Sequence, residues 1–235
     1  FDFTRYRPTT YLEGDSRRIK IPNTVLSYAR REKGNDFVFL RMLEPHSLSE
    51  VYVDSVSQLL TALRAKRYCL LGSMYDVVPH TKPLLVSGRA TGKEAEQDLK
   101  KAGVQTSNYQ GPTTILNLIA QKAQEVGIET ITFIVSLPQY VNVDEDYLGK
   151  VRLMEILNLL YDIPIDKKDF EKAARQRSLI SQKVETTPEL KKVLSHLEGI
   201  YATRISKKEG ERVIGLSPEM EEIFWETDEK DFGKA

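Results

Sequence analysis

The sequence predicts an α/β fold, in which a mostly parallel sheet is flanked by helices and followed by an antiparallel helical hairpin. The first supporting observation is a strand–helix–strand order with short links over residues 36–71, which is typical of a βαβ unit with parallel strands. The second is the β-branched run Thr130–Val135, which follows an amphipathic helical pattern. The third is the helical periodicity of the chain beyond Tyr140.

The N-terminal part of the chain is predicted to be extended. Thr9–Glu13 and Arg17–Ile21 alternate apolar and polar residues around Gly14-Asp15, which indicates a β-hairpin with a short loop. Thr24–Ala29 predicts a further extended segment. Asp36–Met42 contains a short continuous apolar run, and such a run predicts a strand buried on both faces.

A helix and a second apolar strand complete the predicted βαβ unit. Residues 47–65 carry apolar side chains at helical spacing, and Ser47 with Glu50 three residues later predicts a capping box. The apolar run Tyr68–Leu71 predicts the next strand, and Leu84–Ser87 predicts a short one after it.

The next segments alternate helix and strand. Lys93–Lys101 predicts a helix that ends at Gly103, a favourable residue just beyond a helix. Thr113–Val126 predicts an amphipathic helix, and Thr130–Val135 predicts the strand that follows it.

The C-terminal part is predicted to be helical. Tyr147–Leu160 has a wide apolar face, and residues 166–185 and 188–206 are predicted to pair as an antiparallel hairpin. Its second helix carries a narrow packing seam at 3-4-3-4 spacing, formed by Leu190, Val193, Leu194, Leu197 and Tyr201. The predicted organisation is therefore an α/β core domain at 1–164, a helical hairpin at 165–206 and an acidic tail at 207–235.

Composition excludes several classes of function. The 235 residues include 34 basic and 34 acidic side chains, so the formal net charge is zero and the chain is not a globally basic nucleic-acid binder. No run of 18 apolar residues exists, which argues against a membrane-spanning helix. The single cysteine, Cys69, excludes an intrachain disulfide and fits a reducing compartment, so we expect a cytoplasmic protein.

The zero net charge conceals an asymmetry between the two ends. Residues 1–35 hold eight basic and four acidic side chains, whereas residues 206–235 hold five basic and nine acidic ones. Opposite charges at the two ends are consistent with ends that face each other, in one chain or across an oligomer, and also with two solvated segments.

Polar side chains follow the predicted strands at the point where each strand ends. Because ligands bind beyond the carboxyl ends of strands in open parallel sheets, we expect a shared crevice there. The alternative is that these loops are polar because they contact water. The predicted pocket residues are His46, Ser73, Tyr75, His80, Ser136 and Tyr140.

His80 has two open interpretations. It lies in the segment Val78–Pro83, where two prolines restrict the backbone. A histidine there is a candidate general base or pH switch. Alternatively, the prolines set a tight turn and His80 bonds to the backbone.

Other candidate sites are weaker. Gly111, Thr113 and Thr114 open a helix whose backbone N–H groups suit an anion, although an ordinary helix start explains them as well. His46 and Glu50 are four residues apart, but no third ligand is near in sequence, so no metal site is predicted. No cofactor and no catalytic set are predicted either.

Four segments in order resemble the proteasome assembly chaperone family in its bacterial, largely uncharacterised branch. They are Phe1–Pro8, Asp76–Pro83, Ser107–Thr113 and Leu137–Tyr140, and the resemblance extends over about residues 1–205. The resemblance implies a fold like that of purine nucleoside phosphorylases with a helical C-terminal extension. It also implies oligomers and protein partners, since eukaryotic and archaeal members are implicated in proteasome assembly.

The sequence also departs from the family pattern. The family normally begins with a strand upstream of Phe1–Pro8, so the resemblance implies that the sheet lacks one strand here. Gln139 stands where the family usually has histidine, which argues against histidine catalysis at that position. The ending Gly233-Lys234-Ala235 lacks the hydrophobic-Tyr-any pattern with which archaeal-type members can dock into a proteasome.

The sequence therefore predicts a non-enzymatic, assembly-chaperone-like interaction protein that forms homo-oligomers and binds protein partners, but neither nucleic acid nor membranes. The predicted partner or oligomer contacts are Arg5, Arg7, Leu194 and Tyr201. The alternative is a small-molecule-binding protein or enzyme, with a nucleoside-like or phosphate-like ligand in the strand-end crevice.

Overall fold

The computed structural model describes residues 8–45 and 47–206. Their strands are β1 (Thr9–Glu13), β2 (Ser16–Lys20), β3 (Val25–Ala29), β4 (Phe37–Arg41), β5 (Arg67–Asp76), β6 (Val86–Thr91), β7 (Gln105–Thr106) and β8 (Glu129–Pro138). Their helices are α1 (Ser49–Ala62), α2 (Lys93–Ala102), α3 (Ile115–Glu125), α4 (Tyr147–Tyr161), α5 (Lys167–Thr186) and α6 (Pro188–Ser206).

The chain divides into two compact units, and the division is not sequential. The first unit comprises the chain up to Ala65 together with Pro112–Val126, and the second comprises Lys66–Gly111 and the chain from Gly127 onward. The first unit thus contains β1 to β4, α1 and α3, and the second contains the remaining elements. The predicted boundaries at 164 and 206 stay predictions.

The first hairpin forms as the sequence predicts. β1 and β2 pair antiparallel, with Glu13 opposite Ser16, so Gly14 and Asp15 form a two-residue turn. Gly14 has a φ of 60°, a conformation that glycine adopts without the steric penalty of other residues. A glycine at the first turn position is what such hairpin connections favour.

The strand at Phe37–Arg41 corrects the predicted βαβ unit. β4 pairs antiparallel with β3, with Ala29 opposite Phe37, and the two form a separate two-stranded sheet. The prediction of burial on both faces is wrong, because Phe39 is 51% exposed and Val38 is 39% exposed. An apolar run does not specify its pairing partner, and the short connection from β3 favours the local hairpin because little loop entropy is lost.

The two helices of the first unit pack against each other. Val53, Val56 and Leu60 form the buried face of α1, and Ile119 and Ala123 contribute from α3. The predicted capping box at the start of α1 is wrong. The helix begins at Ser49, after Leu48 in a left-handed conformation, and no side chain caps it, so Ser47 lies too early to do so.

The second unit is built on a four-stranded sheet in the order β5-β8-β6-β7. β5 is parallel to β8 and β6 is parallel to β7, whereas β6 runs antiparallel to β8. The predicted class, a mostly parallel sheet flanked by helices, is therefore confirmed. β6 extends to Thr91, further than the short strand predicted there.

The core of the second unit lies around β8 and the helices. Ile131, Phe133 and Val135 are at most 1% exposed, and they share this core with the helical hairpin α5–α6. Most of the predicted seam on α6 is buried, including Val193 at 1% and Leu197 at 0% exposure. Leu194 is only partly buried, and it packs against the same core.

Arg67 fastens the starting end of the β5–β8 pair. Its guanidinium contacts Glu129 at 2.8 Å and Tyr161 at 3.2 Å, and it also pairs with Asp98 of α2. Glu129 in turn accepts a 2.9 Å hydrogen bond from the backbone N–H of Glu94 in the first turn of α2. One arginine thus links two strands and two helices, which fixes the sheet end opposite the predicted site.

Candidate functional site

Asp76 is the last residue of β5, and it lies where the sequence predicts a functional edge. The Arg204 guanidinium of α6 forms a bidentate ion pair with its carboxylate, at 2.8 Å to Oδ2 and 3.0 Å to Oδ1. The Ser136 hydroxyl of β8 donates to Oδ2 at 2.9 Å. Burial raises the pKa of Asp76, but the hydrogen bonds from Arg204 and Ser136 outweigh it, so the net pKa is lowered and the carboxylate stays ionised.

His80 is buried in the loop that follows β5, with 1% of its surface exposed. Its Nδ1 lies 2.6 Å from the Tyr140 hydroxyl and its Nε2 lies 3.0 Å from Ser181 Oγ of α5. Its backbone N–H also donates to the Tyr140 hydroxyl at 2.8 Å. A neutral imidazole has one donor and one acceptor nitrogen, so both ring contacts are satisfied without a charge.

The environment of His80 makes it a poor general base. Burial, with the nearby charge of Arg177, lowers the pKa of His80 to about 4 against an opposing effect of Glu198. An imidazole with so low a pKa binds a proton weakly at neutral pH. The Ser181–His80 contact therefore resembles a nucleophile–base pair in distance only, and the structural interpretation of His80 fits better.

Two further contacts fasten the same loop to α6. The Thr81 hydroxyl donates to Glu198 at 2.5 Å, and the Tyr201 hydroxyl donates to the Pro83 carbonyl at 2.8 Å. Glu198, Tyr201 and Arg204 are spaced three residues apart, so they share one side of the helix. We call this set of contacts the loop clasp, and its members are Asp76, His80, Thr81, Pro83, Ser136, Tyr140, Ser181, Glu198, Tyr201 and Arg204.

A small cavity lies on the opposite side of the strand pair. Its volume is about 230 Å³, and its lining residues are Leu71, Gly72, Ser73, Val135, Leu137, Asp146, Gly149, Lys150 and Leu153. Ser73, Asp146 and Lys150 carry the polar side chains of this lining. Asp146 accepts a 2.6 Å hydrogen bond from the Gly149 backbone N–H, and Lys150 pairs with Asp169 at 2.8 Å.

The six predicted pocket residues are not gathered into one crevice. Ser73 is opposite Val135 in the ladder and Met74 is opposite Ser136, so alternation places Ser73 and Ser136 on different faces of the sheet. His80 and Tyr140 meet in the loop clasp, whereas Tyr75 is 56% exposed. His46 lies outside the described residues. A ligand-binding crevice formed by this set stays a prediction.

The remaining predicted residues are those of the anion site and of the partner contacts. Gly111, Thr113 and Thr114 are exposed, and the Thr114 side chain makes no capping hydrogen bond to α3. Of the predicted partner contacts, Tyr201 is 6% exposed and bonded within the chain. Arg5, Arg7 and the acidic tail at 207–235 lie outside the described residues. The anion site and the partner contacts stay predictions.

Sequence reasoning missed the acceptor and donor at the centre of the loop clasp. Neither Asp76 nor Arg204 is among the site residues that the sequence predicts. A signal was available, because Arg204 follows Tyr201 by one helical turn on the packing side of α6. A charged side chain at such a position requires an opposite charge nearby.

Two further properties concern residues 8–45 and 47–206. No helix in these ranges combines the length and apolarity needed to cross a bilayer. In the same ranges, no three His, Cys, Asp or Glu side chains are grouped so that they could hold a metal ion.

Comparison with known proteins identifies relatives of this fold. The sequence model of the PAC2 family matches residues 1–185. A PAC2 family protein from Streptomyces avermitilis is 24% identical, with 83% of this chain and 82% of that chain covered and a TM-score of 0.72. No curated protein is significantly similar to the chain.

Two further solved structures share the fold at lower identity. A proteasome-assembly chaperone homologue from Mycobacterium tuberculosis is 22% identical, with 83% and 82% of the two chains covered and a TM-score of 0.69. An archaeal homologue of proteasome-assembly chaperone from Pyrococcus furiosus is 15% identical, with 84% of this chain and 78% of that chain covered and a TM-score of 0.54.

The Asp76–Arg204 pair is testable by a double-mutant cycle on Asp76→Asn and Arg204→Met. Both side chains are 20% exposed and two hydrogen bonds join them, so we expect a coupling energy of about 1–3 kcal/mol in the free energy of unfolding. The exposed pair Lys122–Glu125 is the control, with an expected coupling below about 1 kcal/mol. Equal couplings for the two pairs, measured by denaturant unfolding, would contradict a clasp that holds α6.

His80 predicts a pH dependence of stability. The pKa of His80 is about 4 in the folded protein, against the ordinary value of 6.5 for the unfolded chain. Between pH 4 and 6.5 the unfolded chain therefore binds more protons than the folded protein. The stability contributed by neutral His80 is therefore fully present above about pH 6.5 and is lost as the pH falls toward 4.

We expect His80→Gln to flatten this dependence between pH 5 and 6.5, a range above the one in which Asp76 titrates. The measurement is the free energy of unfolding against pH. His196→Gln, at an exposed position of α6, is the control and should keep the wild-type slope. An unchanged slope in the His80 variant would mean that the imidazole is not held neutral.

Proposed function

This chain belongs to the PAC2 family, and on that premise we propose that it is a non-enzymatic, assembly-chaperone-like interaction protein that acts as a homo-oligomer. Two structures with the same fold are described as homologues of proteasome-assembly chaperones, which supports a role in binding other proteins.

The observation that carries the proposal is the apolar surface of the β3–β4 hairpin. Leu26 opposes Leu40 and Tyr28 opposes Val38, so these four side chains share one face. Tyr28 is 59% exposed, Leu26 is 41% exposed and Val38 is 39% exposed. Exposed apolar side chains that adjoin one another, unlike isolated ones, mark protein interaction sites.

The other face of the same hairpin is also apolar. Phe37 and Phe39 lie there with ring centroids 6.0 Å apart, and Phe39 is 51% exposed. An isolated two-stranded hairpin is at best marginally stable in water, because it buries too little surface. Packing of a hairpin face against the same face of a second copy would cover these side chains, which supports self-association.

The loop clasp supports the non-enzymatic part of the proposal. Its hydroxyl, imidazole and carboxylate groups are bonded to one another, so they serve to fasten α5 and α6 to the sheet. Burial also raises the pKa of the Cys69 thiol to about 12, which keeps it protonated and unreactive at neutral pH. As the only cysteine, Cys69 also fits the reducing cytoplasm that we propose as the compartment.

The second candidate function is small-molecule binding in the cavity beside Ser73. A cavity of about 230 Å³ is smaller than the roughly 300–1,000 Å³ typical of ligand sites. Its one cationic side chain, Lys150, is already paired with Asp169. These features favour a small, mainly apolar ligand over a nucleoside or phosphate.

Self-association predicts that Phe39→Glu shifts the protein toward the monomer, because a charge replaces an apolar contact. The measurement is the mass in solution by multi-angle light scattering across a dilution series. Phe170→Glu is the matched control, since Phe170 is 44% exposed on α5 of the second unit, and it should keep the wild-type mass. A wild-type protein that is monomeric at every concentration would sink the proposal.

A nucleoside or phosphate ligand, which the sequence analysis gives as the alternative, would produce a thermal shift. A ligand at 100 times its Kd stabilises the folded state by about 2.7 kcal/mol, which is readily measured as a rise in Tm. We expect unchanged melting curves across this panel. A rise that Ser73→Val abolishes would instead establish the cavity as a binding site.

A further inference from the structure

We propose that the acidic, aromatic segment 218–232 of this chain binds the exposed β1–β2 hairpin. The inference concerns the chain's own C-terminal segment, so it does not depend on a partner of another kind. It rests on the surface of the hairpin, on the charge of the two segments and on the length of chain beyond α6.

The β1–β2 hairpin exposes apolar side chains on both faces. Leu12 is 71% exposed and Ile19 is 68% exposed, and the pairing of Leu12 with Arg17 and of Thr10 with Ile19 places them on one face. Tyr11, 46% exposed, lies on the other face. Every residue of both strands is exposed, so this ribbon is uncovered over the described part of the chain.

The same hairpin is basic. β2 carries Arg17, Arg18 and Lys20, whereas β1 carries a single acid, Glu13, which pairs with Arg18 at 3.2 Å. Cross-strand pairing places Arg17 beside Leu12 and Arg18 beside Tyr11. Each face thus presents a guanidinium next to an apolar side chain, which suits a ligand that combines carboxylates with aromatic groups.

The segment 218–232 has the complementary composition. It contains seven acidic residues and one basic residue, Lys230. Between the acids are the apolar residues Met220, Ile223, Phe224, Trp225 and Phe232. Opposite charge and shared apolar character are both present, so burial of apolar surface and Coulomb attraction act in the same direction.

A long connection joins the segment to α6. α6 ends at Ser206, and 11 residues separate it from Pro218. A connection of that length spans at most about 40 Å, so the segment is not confined to the surface of α6. The contact is possible within one chain or between two copies, and its dependence on protein concentration distinguishes them.

Trp225 provides a direct test, because it is the only tryptophan in the protein. In the full-length protein we expect its emission to lie at a shorter wavelength, and its acrylamide quenching to be weaker, than in a synthetic peptide of residues 216–235. Raising the ionic strength from about 0.15 M to about 1 M shortens the Debye length from about 8 Å to about 3 Å, and this should move both values toward those of the peptide.

Charge reversal on either side should have the same effect as salt. We expect Arg17→Glu with Lys20→Glu to expose Trp225, and this pair leaves the Arg18–Glu13 contact in place. The matched control is Lys191→Glu with Lys192→Glu, at exposed positions of α6, which changes the net charge equally and should leave the emission of Trp225 unchanged.

A second variant tests the proposal without altering the hairpin. Glu221→Arg with Glu222→Arg should also expose Trp225. Combining these two substitutions with the reversal of Arg17 and Lys20 should restore the shorter emission wavelength and the weaker quenching of Trp225. Trp225 as exposed as in the peptide at low salt would overturn the proposal. Protection that survives both reversals would overturn it too, because the segment would then bind elsewhere. A hairpin reversal that changes only the mass in solution would assign the surface to a second copy.

Discussion

The carboxylate of Asp76 is the point on which the sheet end, the following loop and α6 all depend. Its Oδ1 accepts from Arg204 and from the Val77 backbone N–H at 2.7 Å, and its Oδ2 accepts from Arg204 and Ser136. Its backbone carbonyl accepts from Val78 at 2.9 Å. A partly buried ion pair is tolerated only when its lone pairs are satisfied, and here four donors meet this requirement.

This arrangement assigns a structural role to residues that resemble catalytic ones. Histidine, serine and aspartate near strand ends are typical of active sites, yet each donates or accepts within the loop clasp. The helical hairpin is thereby fixed to the sheet edge by side-chain bonds as well as by apolar packing. Among the described residues, the strands of the two hairpins of the first unit carry eight exposed large apolar side chains.

The sequence predicts elements better than it predicts their partners. The 3.6-residue periodicity located α4, α5 and α6 within a few residues, because apolar spacing along one helix is a local property. The apolar run Phe37–Leu40 predicts a strand correctly but places it wrongly in the main sheet, because an apolar run does not specify its pairing partner. For the same reason Asp76 and Arg204, separated by 128 positions, could not be paired from one sequence.

The first unit is built from two separate stretches of the chain, which affects how it folds during synthesis on the ribosome. α1 packs against α3, which is translated only after β5, β6 and α2, and β5 must wait for β8. At about 5–20 residues per second, the chain from Asp76 to Glu129 takes on the order of several seconds to emerge. During that interval the apolar faces of α1 and β5 lack their native partners. The first unit cannot complete its core until translation has passed Glu125, and the second cannot until translation has passed Leu197 of α6, so the second unit is expected to finish folding after the first.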